Sequence, residues 1–358
     1  MVLPFTAHAA FYKAGHYLGV RPVTVPVKDG TFRADVDAME AAIGTNTILL
    51  AASAPGYAHG VVDPIEEIGR LAMEKNLLFH VDACVGGIHL SYMRKLGMNV
   101  PEFDLSVPGV TSLSVDLHKY GYSAKNASLI LYKNRDLRRY QIFACSRWPG
   151  YTVVNPTAGS SKTGGALAAA WATLNYLGDD GYGRIVAEVM GATRLVVEGI
   201  RRIEGLEIQG EPDMCMFSFC STSDRLNVYR LADEMKARGG WYLQPQFARG
   251  NSRSNLHVSF TSMTVPRARE LLADLEATVK DLMKEPAAAP SGGLSAAVEN
   301  LDLKLDEETF DALLEMAGIS GDEPPARMEE INSILEALPD DMTEHIVRTY
   351  INRILRQG

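Results

Sequence analysis

Cysteine is scarce in this chain: Cys84, Cys145, Cys215 and Cys220 are scattered over 358 residues, and no two form a Cys-x-x-Cys pair. That argues against a disulfide framework and a structural zinc site, and fits free thiols in a reducing cytosol. No apolar run approaches the ~20 residues of a membrane-spanning helix. The opening MVLPFTAHAAFYKAG does not have the basic and long apolar regions of a secretory signal. Positive charge is lacking too. Residues 286 to 358 hold 15 acidic against 5 basic side chains, and the remainder is close to neutral. Neither part offers the basic footprint of a nucleic-acid binder, so that class is set aside. What remains is an ordinary globular composition, 46% hydrophobic and 22% charged, long enough for two domains.

Strand and helix patterns alternate through the first half. VRPVTVPV reads as a strand, residues 35 to 43 as a short helix, and NTILLAASA as a buried strand. Asp63-Pro64 is read as a cap plus first-turn proline opening the helix IEEIGRLAMEKN, and LLFHVDA is the next strand. Thr6 is expected to cap a helix over Ala7 to Leu18, with His8 in its first turn. Such alternation with nearly continuous apolar strands predicts a mostly parallel sheet covered on both faces, with ligands at the carboxyl ends of its strands. Thr111 to Leu117 and ASLILYKN add two strands, RDLRRYQIFA a helix, and CSRWPGYTVVNPTAGSSKTGG a long loop. We expect a large α/β domain over 1–183, a smaller α+β domain over 184–285, a Pro/Ala/Gly linker over 286–295 and an acidic appendage of three helices over 296–358.

The chemistry centres on two strand ends. One pattern closes on Asp82, and the other runs into His118-Lys119-Tyr120. A lysine just past a strand end suits an aldehyde cofactor, and a carboxylate beside it could pair with a pyridine nitrogen. Taken singly, each residue is more often a surface lysine or a turn-capping acid; together they point to pyridoxal 5′-phosphate (PLP). His8 could stack over the ring, or be an ordinary helix histidine. Ser53 could bond the ring hydroxyl, or cap a turn. Gly159, Ser160 and Ser161 could accept a phosphate, though short Gly/Ser loops are common.

HVDACVGG, SVDLHKYGYSAK, the opening TAHAAF and the WPG…PTAGS loop, in that order, resemble the sphingosine-1-phosphate lyases. Those are a branch of the PLP-dependent group II decarboxylase family, with the type I fold of aspartate aminotransferase. The resemblance covers about Thr6 to residue 285. It implies Lys119 as the Schiff-base residue, Asp82 as the partner of the pyridine nitrogen and His8 as the stacking residue. It implies His118 near the cofactor phosphate, Lys125 near the active site, and Gly159 to Ser161 reaching a neighbouring subunit's phosphate in a homodimer. The reaction implied is a retro-aldol cleavage of a phosphorylated sphingoid base to a fatty aldehyde and phosphoethanolamine. His118, Lys125, Tyr120 and Tyr122 are candidates for its base. An amino-acid decarboxylase on the same scaffold and a non-catalytic, partner-binding paralogue are the alternatives. Relative to the family, the chain is expected to start after the phosphate cup and the membrane-anchoring helix, hence a soluble, cytoplasmic protein. The acidic tail falls outside the family pattern.

Overall fold

The computed structural model describes residues 1–159, 164–285 and 327–355. Ser160, Ser161, the 286–295 linker and the first expected tail helix, at ETFDALLEMAG, lie outside the described residues.

Six strands form the central sheet: β1 (Val2–Pro4), β2 (Val23–Val25), β3 (Leu49–Ser53), β4 (Leu78–Asp82), β5 (Ser112–Asp116) and β6 (Ser128–Tyr132), in the order β2-β1-β3-β4-β5-β6. Every pairing is parallel except β5 with β6. The register aligns Ser53 with Asp82 and Asp82 with Ser114. In a parallel pair, registered residues share a face. One face therefore carries Leu50, Ala52, Phe79, Val81, Leu113 and Val115, all buried. The other carries Ser53, His80, Asp82, Ser112, Ser114 and Asp116. The strands are not continuously apolar as expected: LFHVD and SLSVD alternate, because their second face is built for polar contacts.

Helix α3 (Ile65–Glu74) contacts β3 and β4, and α4 (Gly86–Lys95) contacts β5. One face of α3, carrying Ile65, Ile68, Leu71 and Ala72 at helical spacing, is buried. Gly87 lets α4 approach closely, since a Cβ there would lie 2.7 Å from Val115. Helix α1 (Ala10–Leu18) lies toward the polar face, where the Phe11 ring meets His80 edge-on at 6.0 Å. It begins later than expected. Thr6 is buried, and His8 precedes the helix, its Nδ1 accepting the Ala10 N–H at 3.2 Å. The short α2 (Val36–Ala41) is capped by Asp35.

Asp63 does not cap α3. Its two carboxylate oxygens turn inward, each accepting one backbone N–H, from Ala34 and from Ser53, both at 2.8 Å. Two fixed amide dipoles and the nearby Arg33 take the place of water around this buried acid.

Beyond β6 the expected helix RDLRRYQIFA is shorter. It forms α5 (Arg135–Arg138) and a 3₁₀ turn, then leads into β7 (Phe143–Cys145), which pairs antiparallel with β8 (Val153–Asn155). Strand β8 lies in the stretch read as a loop, and β7 takes up the end of the expected helix. The two helices expected next are present and meet end to end as α6 (Gly164–Ile200), with a kink at Gly178, whose φ of 57° with ψ of −172° is a conformation essentially confined to glycine.

The second sheet has the order β11-β12-β10-β9, from β9 (Leu206–Ile208), β10 (Met216–Ser221), β11 (Gln244–Gln246) and β12 (Asn255–Ser259). Helices α7 (Val228–Gly239) and α8 (Ala268–Leu282) contact each other, with α7 capped by Asn227 and closed by a left-handed Gly240. The described tail forms α9 (Glu329–Ala337) and α10 (Asp340–Leu355), with a core of their own around Ile331, Ile334, Leu338, Met342 and Ile346. The chain divides into two compact units. One comprises residues 1–195, 209–217 and 259–266, and the other 196–208, 218–258 and 267–358.

Candidate active site

The carboxyl ends of β3, β4 and β5 gather Ser53, Asp82 and the turn that follows Asp116. Hydrogen bonds from the Ser114 hydroxyl at 2.9 Å and the Cys84 N–H at 3.0 Å fix Asp82, and both converge on Oδ1. Oδ2 accepts no backbone N–H or hydroxyl among the described residues, and the Cys84 thiol lies beside the carboxylate. The carboxylate is half-buried, held by one oxygen and open at the other. Ser53 is similarly prepared: its backbone N–H and C=O are both taken by Asp63, and its hydroxyl has no partner among the described residues.

Lys119 reaches back across the strand ends. Its Nζ donates to Cys84 Sγ at 2.9 Å and pairs with Asp116 Oδ2 at 3.0 Å. Burial disfavours its charge, but the Cys84 contact and the Asp116 carboxylate outweigh that, so its pKa lies above the ordinary lysine range. Burial likewise pushes the Cys84 thiol up to about 12. Burial raises Asp116, yet the Ser128 hydroxyl, Lys119 and His118 together hold it below the usual carboxylate range. Lys119 is thus an ammonium at rest, and Asp116 sets its position. Asp116, Cys84 and Ser114 were missed in the sequence reading. The alternation of SLSVD, which puts Ser114 and Asp116 on the same face as each other, was the available signal.

His118 sits beside this pair, Nε2 3.8 Å from Asp116 Oδ2. Its Nδ1 lies 3.0 Å from the Ala127 carbonyl, which can only accept, so Nδ1 carries a proton and donates it. Tyr120 is turned elsewhere: its buried hydroxyl donates to the Phe260 carbonyl at 3.0 Å, and the His89 ring packs against it at 5.1 Å. Burial holds that phenol well above its ordinary pKa. Lys125 lies exposed in a loop flanked by left-handed Tyr122 and Asn126, without an ion-pair partner among the described residues. His8 is exposed, near the Tyr57 ring at 6.5 Å. Gly159 closes a small loop in which its carbonyl accepts from Asn155 at 2.7 Å and Thr157 at 3.2 Å. The geometry therefore joins Ser53, Asp82, His118 and Lys119 at one sheet edge. Among the described residues, no hydrogen bond, ion pair or ring contact links His8, Lys125 or Gly159 to them.

A half-buried lysine and an acid with one open oxygen, on neighbouring strand ends of a parallel sheet, match the needs of a pyridine-aldehyde cofactor. The donor set fits: an amine for the aldehyde, a carboxylate for the ring nitrogen, a hydroxyl for the ring oxygen. The fold is that of the PLP-dependent enzymes of fold type I.

Residues 4–221 match the family described as the pyridoxal-dependent decarboxylase conserved domain, and the chain belongs to that family. Residues 292–353 match a second, described as a pyridoxal-dependent enzyme, C-terminal putative HTH domain. The tail is therefore not foreign to such enzymes, as the sequence reading had it. A sphingosine-1-phosphate lyase of Arabidopsis thaliana is 41% identical over 295 residues, covering 82% of this chain and 53% of the relative. The lyase of Rattus norvegicus is 37% identical, over 82% of this chain and 50% of the relative. The chain spans about half the length of these curated relatives. A solved sphingosine-1-phosphate lyase from Burkholderia pseudomallei superposes with a TM-score of 0.74 at 33% identity, covering 78% of this chain and 62% of that one. A Lactobacillus brevis glutamate decarboxylase, 17% identical with a TM-score of 0.71, shares the fold. Among the described residues, no helix is long and apolar enough to cross a membrane.

Proposed function

We propose that the chain acts as a PLP-dependent carbon–carbon lyase, cleaving a phosphorylated sphingoid base to a fatty aldehyde and phosphoethanolamine. The observation that carries this reading is Lys119 poised beside Asp116 and Cys84, one strand away from an Asp82 carboxylate with an open oxygen. Similarity to lyases across the whole site region supports the choice of reaction. In this reading Lys119 would hold the cofactor aldehyde, Asp82 would pair with the pyridine nitrogen, Ser53 would bond the ring hydroxyl and His8 would stack on the ring. His118 and the Gly159–Ser161 loop serve phosphate groups. When bound, PLP supplies the sink for the electron pair released from the Cα–Cβ bond.

Lys119 must first lose its proton, and Asp116 keeps the amine aimed while it does so. The substrate 3-hydroxyl proton needs an acceptor. Tyr120 is committed to Phe260, which leaves His118 Nε2, Lys125 Nζ and the Tyr122 hydroxyl, which accepts the Ser262 N–H at 3.4 Å, as the candidate groups. A homodimer is part of the proposal. Strand β6 is an edge strand with Leu129, Ile130 and Leu131 partly exposed, and Phe143 and Trp171 are exposed in the same unit. Such an edge is normally covered. A cytoplasmic location is proposed on the same footing.

The test is to incubate the purified chain with PLP and sphingosine 1-phosphate. Fatty aldehyde and phosphoethanolamine in equal amounts are expected, lost in Lys119→Ala. Carbon dioxide released from amino acids, without aldehyde, would instead favour the decarboxylase. Failure to bind PLP at all would leave the non-catalytic reading. Sedimentation of the same sample checks the dimer.

A further inference from the structure

Lys119 lies beyond the end of β5, so its amine is placed by a turn rather than by the sheet itself. Residues 117–123 close on themselves. The Lys119 N–H donates to the Asp116 carbonyl at 3.2 Å, the Tyr122 N–H to the Lys119 carbonyl at 3.1 Å and the Ser123 N–H to the Leu117 carbonyl at 3.0 Å. Such bonds fix the shape of the turn but not its attitude to the strand ends, and the attitude decides where Nζ comes to rest.

We propose that Tyr182 and Tyr120 are positioning residues for Lys119, tying this turn to two other segments so that Nζ stays between Cys84 and Asp116. Tyr182, on α6, is 1% exposed, and its hydroxyl donates to the Gly121 carbonyl at 2.7 Å. The Tyr92 ring of α4 braces it, stacked at 4.9 Å. Tyr120 ties the turn to residues 260–262 by donating to the Phe260 carbonyl at 3.0 Å, and Tyr122 reinforces that tie by accepting the Ser262 N–H at 3.4 Å. The Tyr182 and Tyr120 bonds are buried, where no water competes for them and an unmade bond is costly. The turn has little room to adapt on its own. A Cβ on Gly121 would lie 2.5 Å from the Leu117 carbonyl oxygen, and Tyr122 keeps a left-handed φ of 54°, a conformation that persists only where the surroundings impose it. The contacts of Nζ, 2.9 Å to Cys84 and 3.0 Å to Asp116, depend on that placement.

The importance of the positioning rests on the reading of Lys119 as the amine that receives the cofactor, so two measurements are kept apart. The first uses the full chain without PLP, labelled by trace acetic anhydride as pH is raised, with each lysine followed by mass spectrometry. The Lys119 side chain is 32% exposed, so the reagent can reach it. In Tyr182→Phe and Tyr120→Phe the turn is freed, Nζ leaves Asp116 and its pKa falls toward the ordinary lysine value. Labelling of Lys119 below its midpoint should then rise at least about twofold, while exposed Lys28 keeps its profile. The second measurement traps PLP on the amine with borohydride, and both variants should slow it about tenfold or more. Val189→Ala, at a buried site two turns further along α6, should lower the thermal midpoint and leave both readings unchanged. The proposal is overturned if neither tyrosine variant alters Lys119 labelling, or if Val189→Ala alters it as much. Should Tyr182→Phe fail to fold, Tyr120→Phe decides alone. Shifted labelling with no PLP trapped in the parent chain would uphold the positioning and sink the reading of Lys119.

Discussion

The two faces of the central sheet follow opposite rules although they share the same strands. On one, Leu50, Phe79, Val81 and their neighbours are withdrawn from water and pressed against helices. On the other, Asp82, Ser112, Ser114 and Asp116 remain partly accessible and are held by polar contacts, Ser114 to Asp82, Ser112 to His80 and Asp116 to Lys119. Because side chains alternate along a strand, each residue of β4 and β5 is assigned to stability or to chemistry by parity alone. The apolar face fixes where the strands lie. The polar face inherits that placement, which is how Lys119 can meet a cysteine 35 residues earlier in the chain.

Substitutions on the two faces should therefore separate. The largest effect is expected from Lys119→Ala, which should reduce aldehyde release to background and remove the visible absorbance formed with PLP, while the thermal unfolding curve stays close to that of the parent. Phe79→Ala should do the reverse. It should cost about 3 to 5 kcal/mol of stability by opening a cavity, measured by urea unfolding. The surviving folded fraction should turn over normally. Asp82→Asn should lower turnover by about 10²-fold or more, since an amide cannot hold a pyridinium charge, and should move stability by less than about 1 kcal/mol. A large loss of stability with Asp82→Asn would break the division between the faces.

Asp63 gives a pH test of the fold. Burial outweighs its two amide contacts and raises its pKa from 3.8 to about 6. The folded chain thus binds this proton more tightly than the unfolded one. The contribution to stability is full below about pH 4 and lost as pH rises through about 6, an effect of about 3 kcal/mol in all. Urea midpoints between pH 4.5 and 7.5 should show it as a slope that Asp63→Asn flattens. Smallest is Ser114→Ala, expected to cost under about 1 kcal/mol in stability and a few-fold in turnover by loosening Asp82.

Much of this was legible in the residues. The strand pattern gave the parallel sheet, and Asp82 and Lys119 could be placed at its edge because each follows an apolar run. What could not be read depends on distant partners. Asp63 looked like a helix cap because Asp-Pro commonly opens a helix. Only the approach of Ala34 and Ser53 turns it inward. Tyr120 looked available beside Lys119, and its engagement with Phe260 lies 140 residues away. The β7–β8 hairpin was hidden by turn residues around Trp148 and Gly150.

The cap of α9 has a consequence for how the molecule holds together. The acid that completes the first turn of this helix, Asp233, comes from α7, 95 residues earlier. Glu336 accepts from Ala248 and Ser254, and Arg249 pairs with Asp340, extending the same arrangement along the tail. A helix that depends on another element for its cap is well formed only while docked. The tail and the second unit should then melt as one cooperative body, and amide exchange in α9 should follow that of α7.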